Sequence, residues 1–223
     1  MNGTKDSFAH SRRYDLAFAI PLAVFFAFAC AGDIIEIVHA WPAAHGNGAV
    51  LPIVNRAAAF VFYAMQLTFC LTRRLPVAKS DGFGPRAAAM LGANFNFALL
   101  LLPLVALSGS WALLSATLTI GGTLASIAVL FHLGRSFSIF PEGRRLVTHG
   151  PYRLIRHPLY LAEIISMLGI MLQFKQPWAA LIVLVTIGFQ FRRMAYEEDV
   201  LVQSFPAYAA YRRVTARLIP GLY

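Results

Sequence analysis

Apolar runs long enough to cross a lipid bilayer follow one another along this chain, and no other feature restricts its fold so much. A helix needs about 20 apolar residues to cross the hydrocarbon, and a backbone inside lipid must satisfy its own hydrogen bonds. Runs at about 15–39, 50–72, 86–107 and 110–133 meet that length. The stretch 158–191 is too long for one crossing and is broken by Phe174-Lys175-Gln176-Pro177, where charge and proline favour a turn. It divides into two helices, 158–173 and 177–194. The expected fold is therefore an all-α integral membrane protein of about six transmembrane helices. The last two form a helical hairpin, and a C-terminal cytoplasmic interfacial helix follows.

Composition and charge agree. The chain is 58% hydrophobic and 13% charged, against about 25% charged in soluble domains. A formal charge of +9 would suit nucleic acid. The charges, however, sit in short clusters between apolar runs, the pattern of loops facing anionic lipid. Membrane lipid is the expected partner, and nucleic acid is not. With the N-terminus inside, all but two of the 19 Lys and Arg fall on the cytoplasmic side; Lys175 takes an outer turn and Arg56 lies within a span. This asymmetry predicts a multi-pass protein of the inner (plasma) membrane with both termini cytoplasmic. The first apolar run continues through Ile34, Ile35, Ile37 and Val38. That exceeds the roughly 7–15 residues of a signal-peptide core, so it is read as a retained span. Cys30 and Cys70 both lie in apolar spans, where they are expected as buried small hydrophobes rather than a disulfide. Oligomeric state leaves no trace in the sequence.

Two polar blocks interrupt the apolar pattern. The first, 149–160, closes the long polar loop 134–157 and runs into the next apolar stretch. It reads His149-Gly150-Pro151-Tyr152-Arg153-Leu154-Ile155-Arg156-His157-Pro158-Leu159-Tyr160. Gly150-Pro151 specifies a turn. Pro158 suits the first turn of a helix, which leaves Arg156 and His157 at that helix's mouth. The free N–H groups of the first turn favour an anion there. Tyr160 lies in the first turn, and Glu163 falls on a similar face. Interfacial anchoring explains single Arg, His or Tyr residues. It explains less well why His149, Tyr152, Arg156, His157 and Tyr160 cluster. The second block, Glu197-Glu198-x-x-Leu201, ends the last apolar run. Arg193 and Glu197 are four apart and share a helix face. Phe205, Tyr208 and Tyr211 follow at spacings of three, and the chain closes Arg217-Leu218-Ile219-Pro220-Gly221. By itself this block also suits a solvated interfacial helix with internal ion pairs. The charge asymmetry puts both blocks on one side of the membrane, where they can share a site.

Taken in order, Gly150-Pro151-Tyr152, Arg156-His157-Pro158-x-Tyr160, Glu197-Glu198-x-x-Leu201, Phe205…Tyr208…Tyr211 and Ile219-Pro220 resemble the isoprenylcysteine carboxyl methyltransferase family, which groups with the phospholipid methyltransferases. The resemblance covers about 130–223, and the earlier residues match only in being spans. It implies a membrane methyltransferase that uses S-adenosylmethionine. Residues 1–133 would then be N-terminal membrane helices and 134–223 the catalytic region. Carried over by position, His149, Tyr152, His157, Tyr160 and one of the paired glutamates, Glu197, contact the cofactor, with Leu146 and Val147 near the adenine. Arg156, Arg193 and Glu198 form the catalytic set. The methyl acceptor is a lipophilic or small molecule bearing a carboxyl, amine or thiol and is reached from the bilayer. The chain looks like a bacterial member, for which prenylated proteins are not the expected substrate. A carboxylate acceptor needs no general base. An amine or hydroxyl acceptor does, and Glu197 and His157 are the groups the sequence offers. An NADPH-dependent membrane reductase of the sterol-reductase type is the alternative, because it shares RHP-like and closing Pro-Gly elements.

Other polar groups carry blander expectations. Asp33, Glu36 and His39 are spaced three apart but lie at a helix end, and no metal is expected. Arg56 is expected to pair with Asp33 or Glu36. Asn94 and Asn96 read as helix–helix hydrogen bonds. His132 can line the pocket, and 75–86 reads as a connector.

Overall fold

The computed structural model describes residues 12–47 and 50–221. Lys5, Leu222 and Tyr223 lie outside the described residues. Among the described residues seven α-helices carry the fold: α1 (Arg12–Asn47), α2 (Val50–Thr72), α3 (Phe83–Asn94), α4 (Gly109–Leu133), α5 (Pro158–Met171), α6 (Trp178–Ser204) and α7 (Ala207–Val214). Short 3-10 segments occupy Phe95–Leu101, Gly134–Ser136 and Gly150–Arg153. Among the described residues, four helices are long and apolar enough to cross a membrane; they lie within α1, α2, α6 and the run Gly109–Ser136. Much of their surface is large apolar side chains such as Phe28, Leu113, Phe131 and Leu184, as lipid contact requires. The protein is an all-α membrane protein.

The expected third span, 86–107, takes a different form. It is helical only to Asn94, continues as a 3-10 turn to Leu101 and then extends at Leu102. Asn94 Nδ2 donates to Met90 O within its own helix at 2.9 Å. It therefore competes with the backbone instead of bridging helices, and this local competition is why asparagine weakens helix interiors. Pro103 then restricts Leu102 to extended backbone. The connector 75–86 also does more than connect. Ala78–Lys79 (β1) pairs antiparallel with Glu142–Gly143 (β2) and ties α2 to the polar loop.

Packing follows backbone proximity. α1 lies along α2, α2 also meets α4, and α4 crosses α5. α5 and α6 are joined by a tight turn, yet α5 packs mainly on α4, while α6 packs mainly on α3. Small residues explain the α4–α5 crossing. A Cβ on Gly122 would overlap the backbone of Ser166, and one on Gly169 would sit 2.5 Å from Thr119 N. Ser115 Oγ donates to Gly169 O at 2.8 Å, and Thr123 and Ser166 share a bond of 3.1 Å. In lipid, where burying apolar surface gains little, such close approach and interhelical hydrogen bonding hold helices together.

Each end of the bundle is fastened. At the loop end, Asp15 of α1 accepts from Arg73 Nε at 2.9 Å and from Arg144 Nη2 at 3.0 Å. Lys79 and Glu142 join the same cluster, and Arg144 also donates to Arg74 O. The 0% exposure of the Arg144 side chain makes this an internal lock rather than a surface pair. At the opposite end, Val105 N donates to Gln173 O at 2.9 Å and Lys175 N to Pro103 O at 3.1 Å. Asp33 lies 18 residues along α1 from Asp15, about 27 Å at the α-helical rise. There it pairs with Arg56 at 3.4 Å, and Glu36 meets Arg56 at 3.9 Å. The intramembrane arginine thus has the acidic partners expected of it. Cys30 and Cys70 are buried free thiols.

Candidate active site

The two polar blocks meet at the loop end. Gly150, at φ +60°, takes a backbone that L side chains resist, and a Cβ there would overlap the His132 ring. The chain then enters the 3-10 turn Gly150–Arg153 and buries Tyr152. His157 caps α5 and Pro158 occupies its first turn. α6 runs past this mouth and presents Arg193 and, one turn further on, Glu197 and Glu198.

Glu198 is the hub. It is 4% exposed, and His157 Nε2 lies 2.9 Å from its Oε1. Arg217 Nε is 3.1 Å and Arg156 Nε 3.4 Å from the same oxygen, and Arg212 Nε is 3.8 Å from Oε2. Burial alone would raise this carboxyl. The hydrogen bond from His157 and the charges of His157, Arg217 and Arg156 together outweigh it and hold the group below its ordinary value. Glu197 faces differently and accepts from the Tyr160 hydroxyl at 2.8 Å. The Arg193 guanidinium lies over the Tyr160 ring, 4.9 Å from its centre, and donates to Ser138 O at 3.3 Å.

The C-terminal segment completes the cluster. Residues Thr215 to Leu218 lie across the mouth of α5 as a strap. Arg156 N donates to Ala216 O at 2.8 Å and His157 N to Arg217 O at 3.1 Å. Leu218 packs with Tyr160 and Met194. From α7, the Tyr211 hydroxyl donates to Tyr152 O at 2.5 Å. The Tyr208 hydroxyl is buried and has no hydrogen-bond partner among the described residues. Burial, reinforced by Glu197, raises Tyr152 well above the ordinary tyrosine range. Burial likewise pushes Tyr208 up, and Tyr211 up to about 12. These three phenols stay neutral near physiological pH and are not bases.

Six of the sequence-selected residues, Arg156, His157, Tyr160, Arg193, Glu197 and Glu198, therefore converge at one mouth. Tyr152 reaches them through Tyr211. Val147 is buried in the core beside Tyr152 and Leu159, and Leu146 is half-buried. His149 is exposed, its ring 6.3 Å from that of His132. His132 is itself exposed and tied to Ala128 O. Sequence reasoning missed the pairing of Arg212 and Arg217 with Glu198. Both are ordinary C-terminal basic residues in the sequence, and nothing local marks them.

Beside this cluster lies a cavity of about 920 Å³ lined by α1 to α6. Its lining runs from Arg193 and Glu163 to Asp33 and Arg56 at the other end. Phe25, Phe97 and Met167 supply apolar walls, so the space suits an amphiphile. Arg193 borders both spaces, since it stacks on Tyr160 and lines the cavity. Among the described residues no group of three or more His, Cys, Asp or Glu is arranged to hold a metal.

The sequence profile of the phospholipid methyltransferase family matches residues 91–207, just over half of the chain. The chain belongs to the phospholipid methyltransferase family. The match takes in both polar blocks and the helices that present them, and the strap follows beyond it. Protein-S-isoprenylcysteine O-methyltransferase A of Arabidopsis thaliana is 34% identical over 106 residues, 44% of this chain and 54% of that protein. A probable protein-S-isoprenylcysteine O-methyltransferase of Oryza sativa subsp. indica is 35% identical over 92 residues, 39% of this chain and 48% of its own. The cobalt-zinc-cadmium resistance protein CzcN of Cupriavidus metallidurans is 29% identical over 120 residues, 51% and 53% of the two chains. The chain spans about half the length of the curated relatives it matches.

Proposed function

We propose that this protein is an S-adenosylmethionine-dependent methyltransferase of the inner (plasma) membrane, with both termini cytoplasmic. The observation that carries the reading is the convergence of Arg156, His157, Tyr160, Glu197 and Glu198 on one mouth beside a cavity. Family membership and the clustering of Lys and Arg at the loop end support it.

The donor set fits the cofactor. Arg156 and Arg217 carry the charge that a carboxylate seeks, and Glu197 suits an ammonium or ribose hydroxyls. The Tyr208 hydroxyl, without a hydrogen-bond partner among the described residues, is a buried donor near the same cluster. When bound, S-adenosylmethionine supplies an activated methyl group on a sulfonium. Tyr160 presents an aromatic face able to sit near such a cation, with its orientation fixed by Glu197. In this reading His149 meets the cofactor from the exposed start of the loop, while Tyr152 and Val147, buried behind it, and half-buried Leu146 back the site. In this reading Glu198 is a positioning residue that gathers Arg156, His157 and Arg217. Arg193 orients the acceptor from the boundary between cluster and cavity. The acceptor, a lipophilic or small molecule, enters the cavity from the bilayer. Catalysis rests on alignment for in-line transfer and on exclusion of water.

Equilibrium binding to purified protein in detergent tests this. S-adenosylmethionine is expected to bind and NADPH not to. His157→Ala and Glu197→Ala should each weaken binding about tenfold or more, the loss of one charge-assisted contact. Lys175→Ala, at the far end of the bundle, should leave it unchanged. Binding of NADPH in place of S-adenosylmethionine would refute the proposal.

A further inference from the structure

If the acceptor's nucleophilic atom carries a proton, a base must take it, and the sequence offered His157 and Glu197. The structure commits both elsewhere. His157 is buried against Glu198 at 2.9 Å, and Glu197 accepts from Tyr160 at 2.8 Å. Glu163 is in a different position. It lies one turn beyond Tyr160 on α5 and lines the cavity. Its carboxylate accepts from Gln190 Nε2 at 3.5 Å, the long limit for such a bond. Gln190 is 3% exposed, lines the same cavity and has no hydrogen-bond partner for its Oε1 among the described residues. Gln190 and Arg193 are three apart on α6 and so face Glu163 together. The cavity wall beside the cluster thus holds a carboxylate met by one long hydrogen bond and an amide oxygen with none. Burying an acceptor unpaired is costly, so the space is complementary to a head group that donates.

Resting on the methyltransferase reading, we propose that Glu163 holds the acceptor's head group and takes its proton, and that the acceptor is therefore an amine or a hydroxyl rather than a carboxylate. The acceptor's nitrogen or oxygen uses a lone pair to form the bond to the methyl carbon. The carbon–sulfur bond of the cofactor breaks, and its electron pair stays on sulfur, which becomes a neutral thioether. The proton leaves the nitrogen or oxygen for a Glu163 carboxylate oxygen, with Gln190 Oε1 holding the head group in register. Arg193 and Tyr63 of α2 border the same space. A carboxylate head group would instead face Glu163 charge to charge.

The test uses a long-chain primary amine, an alcohol and a fatty acid of equal chain length on the full chain in detergent. Competitive binding is measured with S-adenosylmethionine present. The wild type should bind the amine and the alcohol at least about tenfold more tightly than the fatty acid. Glu163→Gln should erase the preference for the amine, Glu163→Asp should keep it, and cofactor affinity should stay unchanged in both. Transfer of labelled methyl to the amine or alcohol should fall about 100-fold in Glu163→Gln, the usual scale of a lost general base. A wild type that prefers the fatty acid, or binds all three alike, overturns the proposal without need of a variant. So does a Glu163→Gln protein with the wild-type preference. Failure of the wild type to bind S-adenosylmethionine at all refutes the methyltransferase reading instead.

Discussion

Replacing Glu198 by Gln removes one charge from the hub while keeping its shape. The wild-type carboxylate faces Arg156, Arg217 and Arg212, whose side chains are 10%, 16% and 54% exposed. Arg212 is half in water and can turn outward, so its pairing contributes little. Arg156 and Arg217 cannot turn out so easily. Depriving a buried ion cluster of one partner costs about 3–5 kcal/mol. The amide oxygen still accepts one hydrogen bond, which returns about 1 kcal/mol. The net loss is about 2–4 kcal/mol, and it falls on the strap that brings Arg217 to the site. Opening of the strap should then rise roughly 30- to 900-fold, at about 1.36 kcal/mol per tenfold. Hydrogen exchange at the Arg156 and His157 amides, which donate to Ala216 O and Arg217 O, reports that opening directly. Trypsin cleavage after Arg212, Arg213 and Arg217 gives a second readout. Exchange at both amides within about fivefold of wild type would refute the view that this carboxylate fastens the strap.

Two further outcomes follow from other parts of the molecule. Gly122→Ala places a methyl group against the Ser166 backbone and should destabilise the α4–α5 crossing by about 1–3 kcal/mol or more, whereas Gly188→Ala meets nothing within 4 Å and should be neutral; thermal unfolding in detergent compares them. Because the folded-state carboxyl of Glu198 is held below its ordinary value, its contribution is complete above about pH 4.3 and is lost as pH falls through the folded value. The wild-type melting temperature should therefore drop more steeply in that acid window than that of Glu198→Gln, and parallel curves would contradict the assignment.

The spans were legible because hydropathy is a local property with a fixed length scale. Runs 50–72 and 110–133 match α2 and α4 almost residue for residue, and the break at 174–177 falls between α5 and α6. The third run misled because apolarity measures solubility in lipid, not backbone geometry. Asn94 and Pro103 end regular helix inside a segment that remains apolar. Likewise no local pattern links Arg144 of the loop with Asp15 near the N-terminus. Only folding brings residues 129 positions apart into one buried lock.

The same division runs through the site. The order of the motifs alone determined that 149–160 and 197–201 belong together, and charge asymmetry put them on one side of a membrane. Both signals are written in consecutive residues. Tertiary structure decided how the groups are spent. It committed Glu198 to Arg156, His157 and Arg217, and Glu197 to Tyr160, although the two glutamates are adjacent in sequence. Neighbouring helical positions point about 100° apart, so adjacent carboxylates meet different partners. It also set Glu163 and Gln190 on a shared cavity wall. No sequence spacing announces that pairing, because it depends on how two helices are rotated about their own axes, and only side-chain packing fixes the rotation.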